Sequence, residues 1–306
     1  MKVLVATEKP FAKAAVDGIR SIVEGSGHTL ALLEKFTSEE QFCAAVSDAD
    51  ALIVRSDKVT KAVVEAAKKL KIVVRAGAGY DNLDLAACRE HGVVAMNTPG
   101  QNSNAVAELA IGMMIYISRN CFTPGTGSEL SGKSVGIHAF GNVGRLVAKL
   151  ALGFNMKVYA FDPYVKAEAI EKEGVIPVSS IEELYSKSHF LSLHIPATAE
   201  TKKSVGYNLI SKLPKGGCVI NTARKEVINE EELVKIMEER ADIKYITDIA
   251  ADNQDILNEK FGTRVFASPK KMGAETAEAN INAGLASANQ IVRFFETGDK
   301  TFQLNK

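Results

Sequence analysis

Gly141 and Gly144 stand in the run Ala139-Phe140-Gly141-Asn142-Val143-Gly144, directly after the apolar stretch SVGIH. A strand that turns through glycines into a helix can cradle a pyrophosphate. One glycine lets the backbone approach the phosphates, and a later one lets the helix pack closely on its strand. Backbone N–H groups near Asn142 and Val143, at the start of that helix, would face the phosphates. The usual first glycine is replaced by Ala139, which predicts an ordinary backbone angle there or a slightly shifted turn. The next apolar run ends in Asp162, 18 positions after Gly144. A carboxylate about 20 residues beyond the glycines accepts hydrogen bonds from ribose hydroxyls and repels a 2′-phosphate. Such glycines also serve plain packing, and an Asp before Pro163 also caps a turn. Both features in register point to a dinucleotide, NAD rather than NADP.

The elements that must position these residues are short apolar runs alternating with helix-like stretches. In the first third the runs are 3–6, 29–33, 51–54, 72–75 and 93–96. Near-continuous apolar runs of this length suit strands buried on both faces of a parallel sheet. Helical periodicity fills the intervals at 61–70 and 83–91. A long helical stretch at 104–119 and a glycine-containing turn at 123–127 precede a second series: 134–139, 157–161, 175–178, 190–195, 218–221, 245–247 and 265–267. The expectation is α/β, with two doubly wound parallel sheets, the second larger. A final helix is expected at 276–297, free to pack on either domain.

Composition sets the outer limits. At 306 residues, two domains are expected. Lys plus Arg and Asp plus Glu both total 37, so no general basic field invites nucleic acid. No apolar run approaches the ~20 residues that cross a bilayer, and the opening MKVLVATEKP does not read as a signal peptide. Cys43, Cys88, Cys121 and Cys218 form no C-x-x-C pair and read as reduced cysteines of a cytoplasmic protein. The five histidines show no ligand spacing, so no metal is expected.

At this point the chain resembles the D-isomer-specific 2-hydroxyacid dehydrogenase family. The likeness rests on residues 75–84 (RAGAGYDNLD), 96–108 (MNTPGQNSNAVAE), 127–144 (GSELSGKSVGIHAFGNVG), 193–201 (LHIPATAET) and 220–227 (INTARKEV), which follow the family's order. Residues 53–59 (IVRSDKV) and the ending TFQLNK resemble its short D-3-phosphoglycerate dehydrogenases more narrowly. The resemblance implies a flavodoxin-like substrate-binding domain, 1–98 with 277–306, and a Rossmann NAD-binding domain, 99–276. The substrate, a small phosphorylated hydroxy acid, would sit in the interdomain cleft, and the helix at 102–119 would help form a homodimer. Neither nucleic acid nor membrane is implied. The reaction would be NAD-dependent oxidation of D-3-phosphoglycerate, the first step of serine biosynthesis.

Residue by residue, Arg224 matches the substrate arginine, whose planar fork grips carboxylates. The glycine-bracketed loop Gly77-Ala78-Gly79 offers N–H groups to a carboxylate, and Asn102 joins the substrate residues. His194, Pro196, Thr201, Thr222, Ala223 and Gly273 fall on cofactor positions, and Asp248 matches the carboxylate that holds the nicotinamide amide. Arg55, Ser56 and Lys58 follow a strand end and offer two cations and a hydroxyl to the phosphate, although an exposed polar loop would look the same. Arg75 is expected to support its loop.

The acid–base position departs from the family. A histidine is expected within SPKKMGAET, and lysine stands there instead. Counting back from Gly273 gives Lys271, with Lys270 next in line. The supporting glutamate is replaced by Asn253. A lysine without that carboxylate, beside positive Arg224, can have its pKa lowered into range for proton exchange. Asp252 or Asp255 moving in is the rival. Other readings are a hydroxypyruvate, glyoxylate or D-lactate-type reductase on the same scaffold, or a non-enzymatic NAD-sensing, corepressor-like binding protein.

Overall fold

The computed structural model describes residues 1–306. The chain divides into two compact units, Met1–Asn102 with Glu275–Lys306, and Ser103–Ala274.

The first unit runs β1 (Lys2–Thr7), α1 (Lys13–Gly25), β2 (Thr29–Glu34), α2 (Glu39–Val46), β3 (Ala51–Val54), α3 (Lys61–Ala66), β4 (Ile72–Arg75), α4 (Leu85–Glu90) and β5 (Val94–Asn97). Its sheet has the order β2-β1-β3-β4-β5, with every pair parallel. The central strands β3 and β4 have almost no polar side chains because helices cover both faces. The edge strand β2 is half-exposed, although Leu30–Leu33 within its sequence TLALLE form a continuous apolar run.

The second unit runs α5 (Ser103–Ser118), β6 (Ser134–His138), α6 (Asn142–Gly153), β7 (Lys157–Phe161), α7 (Ala167–Glu171), β8 (Ile176–Pro177), α8 (Ile181–Ser186), β9 (Phe190–Leu193), α9 (Tyr207–Ile210), β10 (Cys218–Asn221), α10 (Glu230–Glu239), β11 (Lys244–Thr247), α11 (Gln254–Phe261) and β12 (Val265–Ala267). The order is β12-β11-β10-β9-β6-β7-β8, again all parallel. The long apolar helix α5 buries Ala107, Ala110, Met113, Met114 and Ile117 in the core beneath α6.

The last helix, α12 (Ala277–Thr297), returns to the first unit and lies on α1. Thr276 caps its start by accepting from the Ala279 N–H, and Gly298 ends it in a left-handed turn. The fit is reciprocal. Leu285 fills the space left by Gly18, and Ile19 fills that left by Gly284. Such interdigitation at small residues lets two helices approach closely and bury apolar surface at about 25 cal/mol per Å².

Candidate active site

In each sheet the strand order reverses once, between β1 and β3 and between β6 and β9. In an open α/β sheet, ligands bind at such a reversal, outside the carboxyl ends of the strands.

In the second unit, register aligns the ends of three strands: His138 lies opposite Phe161 and opposite Leu193. The residues that follow, Ala139, Asp162 and His194, therefore converge. Ala139 takes φ of +80°, so the expected ordinary angle is wrong. The alanine adopts the left-handed turn that a glycine would make, held by Ala139 N–H to the Phe161 carbonyl (2.9 Å) and by Phe140 N–H to Asp162 Oδ2 (2.8 Å). Gly144 has no alternative. A Cβ there would sit 2.3 Å from the Ala139 carbonyl oxygen and 2.9 Å from Ile137. At Gly141, by contrast, the space is open, and Asn142 beside it is exposed while Val143 is partly so. Asp162 Oδ1 also accepts from Tyr164 N–H (2.8 Å), so the turn-capping and loop-holding roles coexist. Each carboxylate oxygen retains a lone pair for a ribose hydroxyl.

Behind this loop lies a histidine pair that the sequence reading half missed. His194 Nε2 meets Ser192 Oγ at 2.9 Å, and His138 Nδ1 meets Tyr185 Oη at 3.3 Å. Burial pushes His194 down to about 3, helped by His138, and pushes His138 down to about 4 against the pull of Asp162. Both rings are neutral at ordinary pH, which keeps positive charge out of the fold beneath the cofactor loop. Beyond His194, the Thr201 hydroxyl donates to the Pro196 carbonyl and its Oγ accepts from Thr198 N–H (2.8 Å), closing the loop on itself.

Register also aligns β10, β11 and β12, with Asn221 opposite Thr247 and Thr247 opposite Ala267. Their exits bring Ala223, Arg224, Asp248 and Lys271 together. Lys271 Nζ donates to the Ala223 carbonyl (2.8 Å) and to Asp248 Oδ1 (3.2 Å). Asp248 is fully buried, and its Oδ2 accepts from Gly273 N–H (2.9 Å). Arg224 also donates to the Ala223 carbonyl (2.9 Å). Burial lowers the Lys271 pKa, opposed by Asp248 and assisted by the Arg224 charge. Contrary to the expectation of a lysine without a carboxylate, Asp248 supplies one. The downward direction survives because burial of the ammonium outweighs the pair, even with 37% of the side chain exposed.

The rival carboxylates are placed elsewhere. Asp252 pairs with Lys225, Asp255 is exposed in the first turn of α11, and Asn253 N–H donates to Glu230 (3.1 Å). Thr222 Oγ1 is buried without a partner. That orphan hydroxyl, the open Gly141 and the tight Gly144 fit a dinucleotide bound across these strand ends.

In the first unit, Arg55 follows β3 at the reversal. It donates to the Lys9 carbonyl (3.3 Å) and to Asn280 Oδ1 on α12, and lies 5.3 Å over the Phe11 ring. Asn280 could not have been found from the sequence, being 225 residues away. Ser56 and Lys58 are exposed. Between them Asp57 is buried, accepting from Glu8 N–H (2.7 Å) and Arg55 N–H (3.2 Å), so it shapes the turn.

The glycine loop is partly spent on structure. Ala76 N–H donates to Val54 and Gly77 N–H to Thr98 Oγ1 (2.7 Å). Gly77, named as a substrate donor, is thus committed, and the N–H groups of Ala78 and Gly79 remain for a ligand. The Arg75 guanidinium fills the space beside Gly77 and supports the loop. Asn102 is the last residue before α5 and half-exposed.

A sequence profile of the D-isomer specific 2-hydroxyacid dehydrogenase NAD binding domain matches residues 111–269. D-3-phosphoglycerate dehydrogenase of Methanocaldococcus jannaschii is 34% identical over 268 residues, covering 83% of this chain and 51% of that protein. The chain thus spans about half the length of that relative. Hydroxypyruvate reductase of Thermotoga maritima is 32% identical over 286 residues, covering 86% of this chain and 90% of that protein. The crystal structure of NAD+-bound 3-phosphoglycerate dehydrogenase from Entamoeba histolytica is 50% identical, with a TM-score of 0.90 over 100% of this chain and 99% of that one. The structure of D-2-hydroxyisocaproate dehydrogenase, at 22% identity and a TM-score of 0.84, shares the fold.

Proposed function

The chain belongs to the D-isomer-specific 2-hydroxyacid dehydrogenase family and takes NAD as its cofactor; from this premise we propose that it oxidises D-3-phosphoglycerate to 3-phosphohydroxypyruvate, the opening step of serine biosynthesis. The observation that carries the proposal is the buried Asp248 with Lys271 and Arg224 at the ends of β10–β12.

When bound, NAD would supply the acceptor for the hydride of C2. The chain's own residues do the rest. Arg224 grips the carboxylate and draws electron density from the 2-oxygen, and Lys271, as the neutral amine, takes the hydroxyl proton. Ala78 and Gly79 N–H groups orient the carboxylate. Arg55, with Ser56 and Lys58, holds the phosphate, supported by its place at the strand-order reversal. Asp162 receives the ribose hydroxyls, and Gly141, Asn142, Val143 and Gly144 face the pyrophosphate. His194, Pro196, Thr201, Thr222, Ala223, Asp248 and Gly273 complete the cofactor's surroundings.

NADH formation from 3-phosphoglycerate tests the assignment. The Thermotoga relative, similar over nearly its whole length, favours one alternative, reduction of hydroxypyruvate. Equal activity on phosphorylated and unphosphorylated acids would shift the assignment to it. Loss of a placed acid–base group costs about 10²–10⁴ in rate, so Lys271→Ala should lower kcat that far and Lys270→Ala much less. Because oxidation needs the neutral amine and the Lys271 pKa is lowered, the oxidation rate should climb with pH above neutrality. Reduction needs the ammonium and should fall over the same range. A flat profile in both directions removes Lys271 from the proton step.

A homodimer is proposed through the helix α5 and the residues just after it, where Phe122 packs on Tyr116 (5.1 Å) yet is 70% exposed. Light scattering should show two copies, and fewer in Phe122→Lys. No helix is long and apolar enough to cross a membrane; the four free cysteines support a reducing, cytoplasmic setting.

A further inference from the structure

The Lys271 ammonium sits where the proposed function needs something else. That function sets Asp248 on the carboxamide of the nicotinamide and Ala223 beside the cofactor; the present inference rests on it and takes the Ala223 carbonyl, which shares Lys271 with Asp248, as the second acceptor. A carboxamide NH2 carries two N–H donors and needs two acceptors. The acceptors available are the Ala223 carbonyl and Asp248 Oδ1, and Lys271 Nζ occupies both, at 2.8 and 3.2 Å. The Ala223 oxygen is the limiting acceptor: it also accepts from Arg224, which with Lys271 fills its two lone-pair directions, while Asp248 accepts from Gly273 N–H through Oδ2 and keeps a lone pair on each oxygen. Asp248 is fully buried, so water cannot stand in for a lost partner.

We propose that Lys271 is a self-docked gate on the nicotinamide subsite: its ammonium holds the two acceptors of the carboxamide, so amide and lysine exclude one another there, and the amine is released toward substrate only once cofactor is seated. Two consequences follow from the contacts. The acid–base group is kept docked until it is needed, which orders binding with cofactor first. Undocking also removes the Asp248 contact that favours the charged amine, so more of the lysine stands as the neutral amine that the oxidation needs. Lys270 takes no part, since only its carbonyl is engaged, by Ser268 Oγ at 2.9 Å.

Equilibrium binding, with no turnover, separates gate from chemistry. Calorimetry would compare NAD+ with its 3-acetylpyridine analogue, in which a methyl replaces the amide NH2, on the parent protein, Lys271→Met and Lys271→Ala. The analogue makes no claim on the acceptors, so the parent should bind the two dinucleotides with similar affinity. In both variants NAD+ should gain about tenfold over the analogue, the scale of one charge-assisted hydrogen bond no longer displaced. If NAD+ exceeds the analogue by the same ratio in all three proteins, the acceptors serve the carboxamide but the gate does not exist. If NAD+ and analogue bind alike in the variants too, Asp248 and Ala223 are not the carboxamide's acceptors, and that part of the proposed function falls with the gate.

Discussion

The two strand-order reversals differ in what they would offer an anion. At the β6/β9 reversal the positive character comes from backbone: the open Gly141 leads into α6, whose first N–H groups have no intrahelical partner. At the β1/β3 reversal, Lys9, Pro10 and Phe11 precede α1, whose N-cap residue Ala12 makes no side-chain cap. The charge comes instead from Arg55, steered by Lys9, Phe11 and Asn280. Backbone recognition fixes one phosphate geometry and admits only particular residues. Side-chain recognition can be exchanged by single substitutions.

The contrast breaks most readily at Gly144. Gly144→Ala places a methyl against a backbone oxygen, which cannot rotate away as a side chain would. We expect a stability cost of about 3 kcal/mol, the upper range for overpacking, together with weakened NAD binding. Denaturant unfolding and calorimetry would measure both; a cost under about 1 kcal/mol would show that α6 can slide on its strand and that the glycine is dispensable. Arg55→Ala is the matching change in the first unit. It should leave NAD affinity alone and raise KM for 3-phosphoglycerate by roughly 5- to 150-fold, the equivalent of losing about 1–3 kcal/mol of charged hydrogen bonding. An unmoved KM would send the phosphate to other residues and end the parallel between the reversals.

Legibility from sequence followed burial. The strands β3, β4 and β10 coincide with their apolar runs because both faces are covered. At β8 only Ile176–Pro177 pair, within the longer run expected at 175–178. Pro177 has no N–H to give the ladder, so the pairing is short at that edge. Arg224 and Asp248 could be named individually from the family resemblance, and Lys271 by counting back from Gly273. Their mutual bonds could not, since those depend on which lone pair each side chain reaches after three parallel strands are brought into register. Gly77 failed for a related reason: its N–H was free on paper and is taken by Thr98, 21 residues on. The sequence allows Asp162 to be a turn cap or a ribose ligand; its first oxygen caps the turn and its second ties down Phe140.

The smallest expected effect lies at Ala139, where the backbone loop departs from glycine. A non-glycine residue in the left-handed region costs about 1–2 kcal/mol, while glycine costs about 0.5–1 kcal/mol in extra chain entropy on folding. The difference makes Ala139→Gly stabilising by about 1 kcal/mol or less, a shift of a few degrees in Tm at most for units of this size. NAD affinity should hold within about twofold, because the turn is fixed from outside: Phe161 and Asp162 bind the N–H groups of residues 139 and 140, and glycine keeps both donors. Thermal unfolding and calorimetry on the one variant would therefore separate two kinds of loop. If stability rises and affinity holds, the alanine is a tolerated strain in a loop shaped by its neighbours. If affinity falls well beyond twofold, the stiffness of alanine is itself what holds the N–H groups toward the pyrophosphate, and the backbone site depends on a side chain after all.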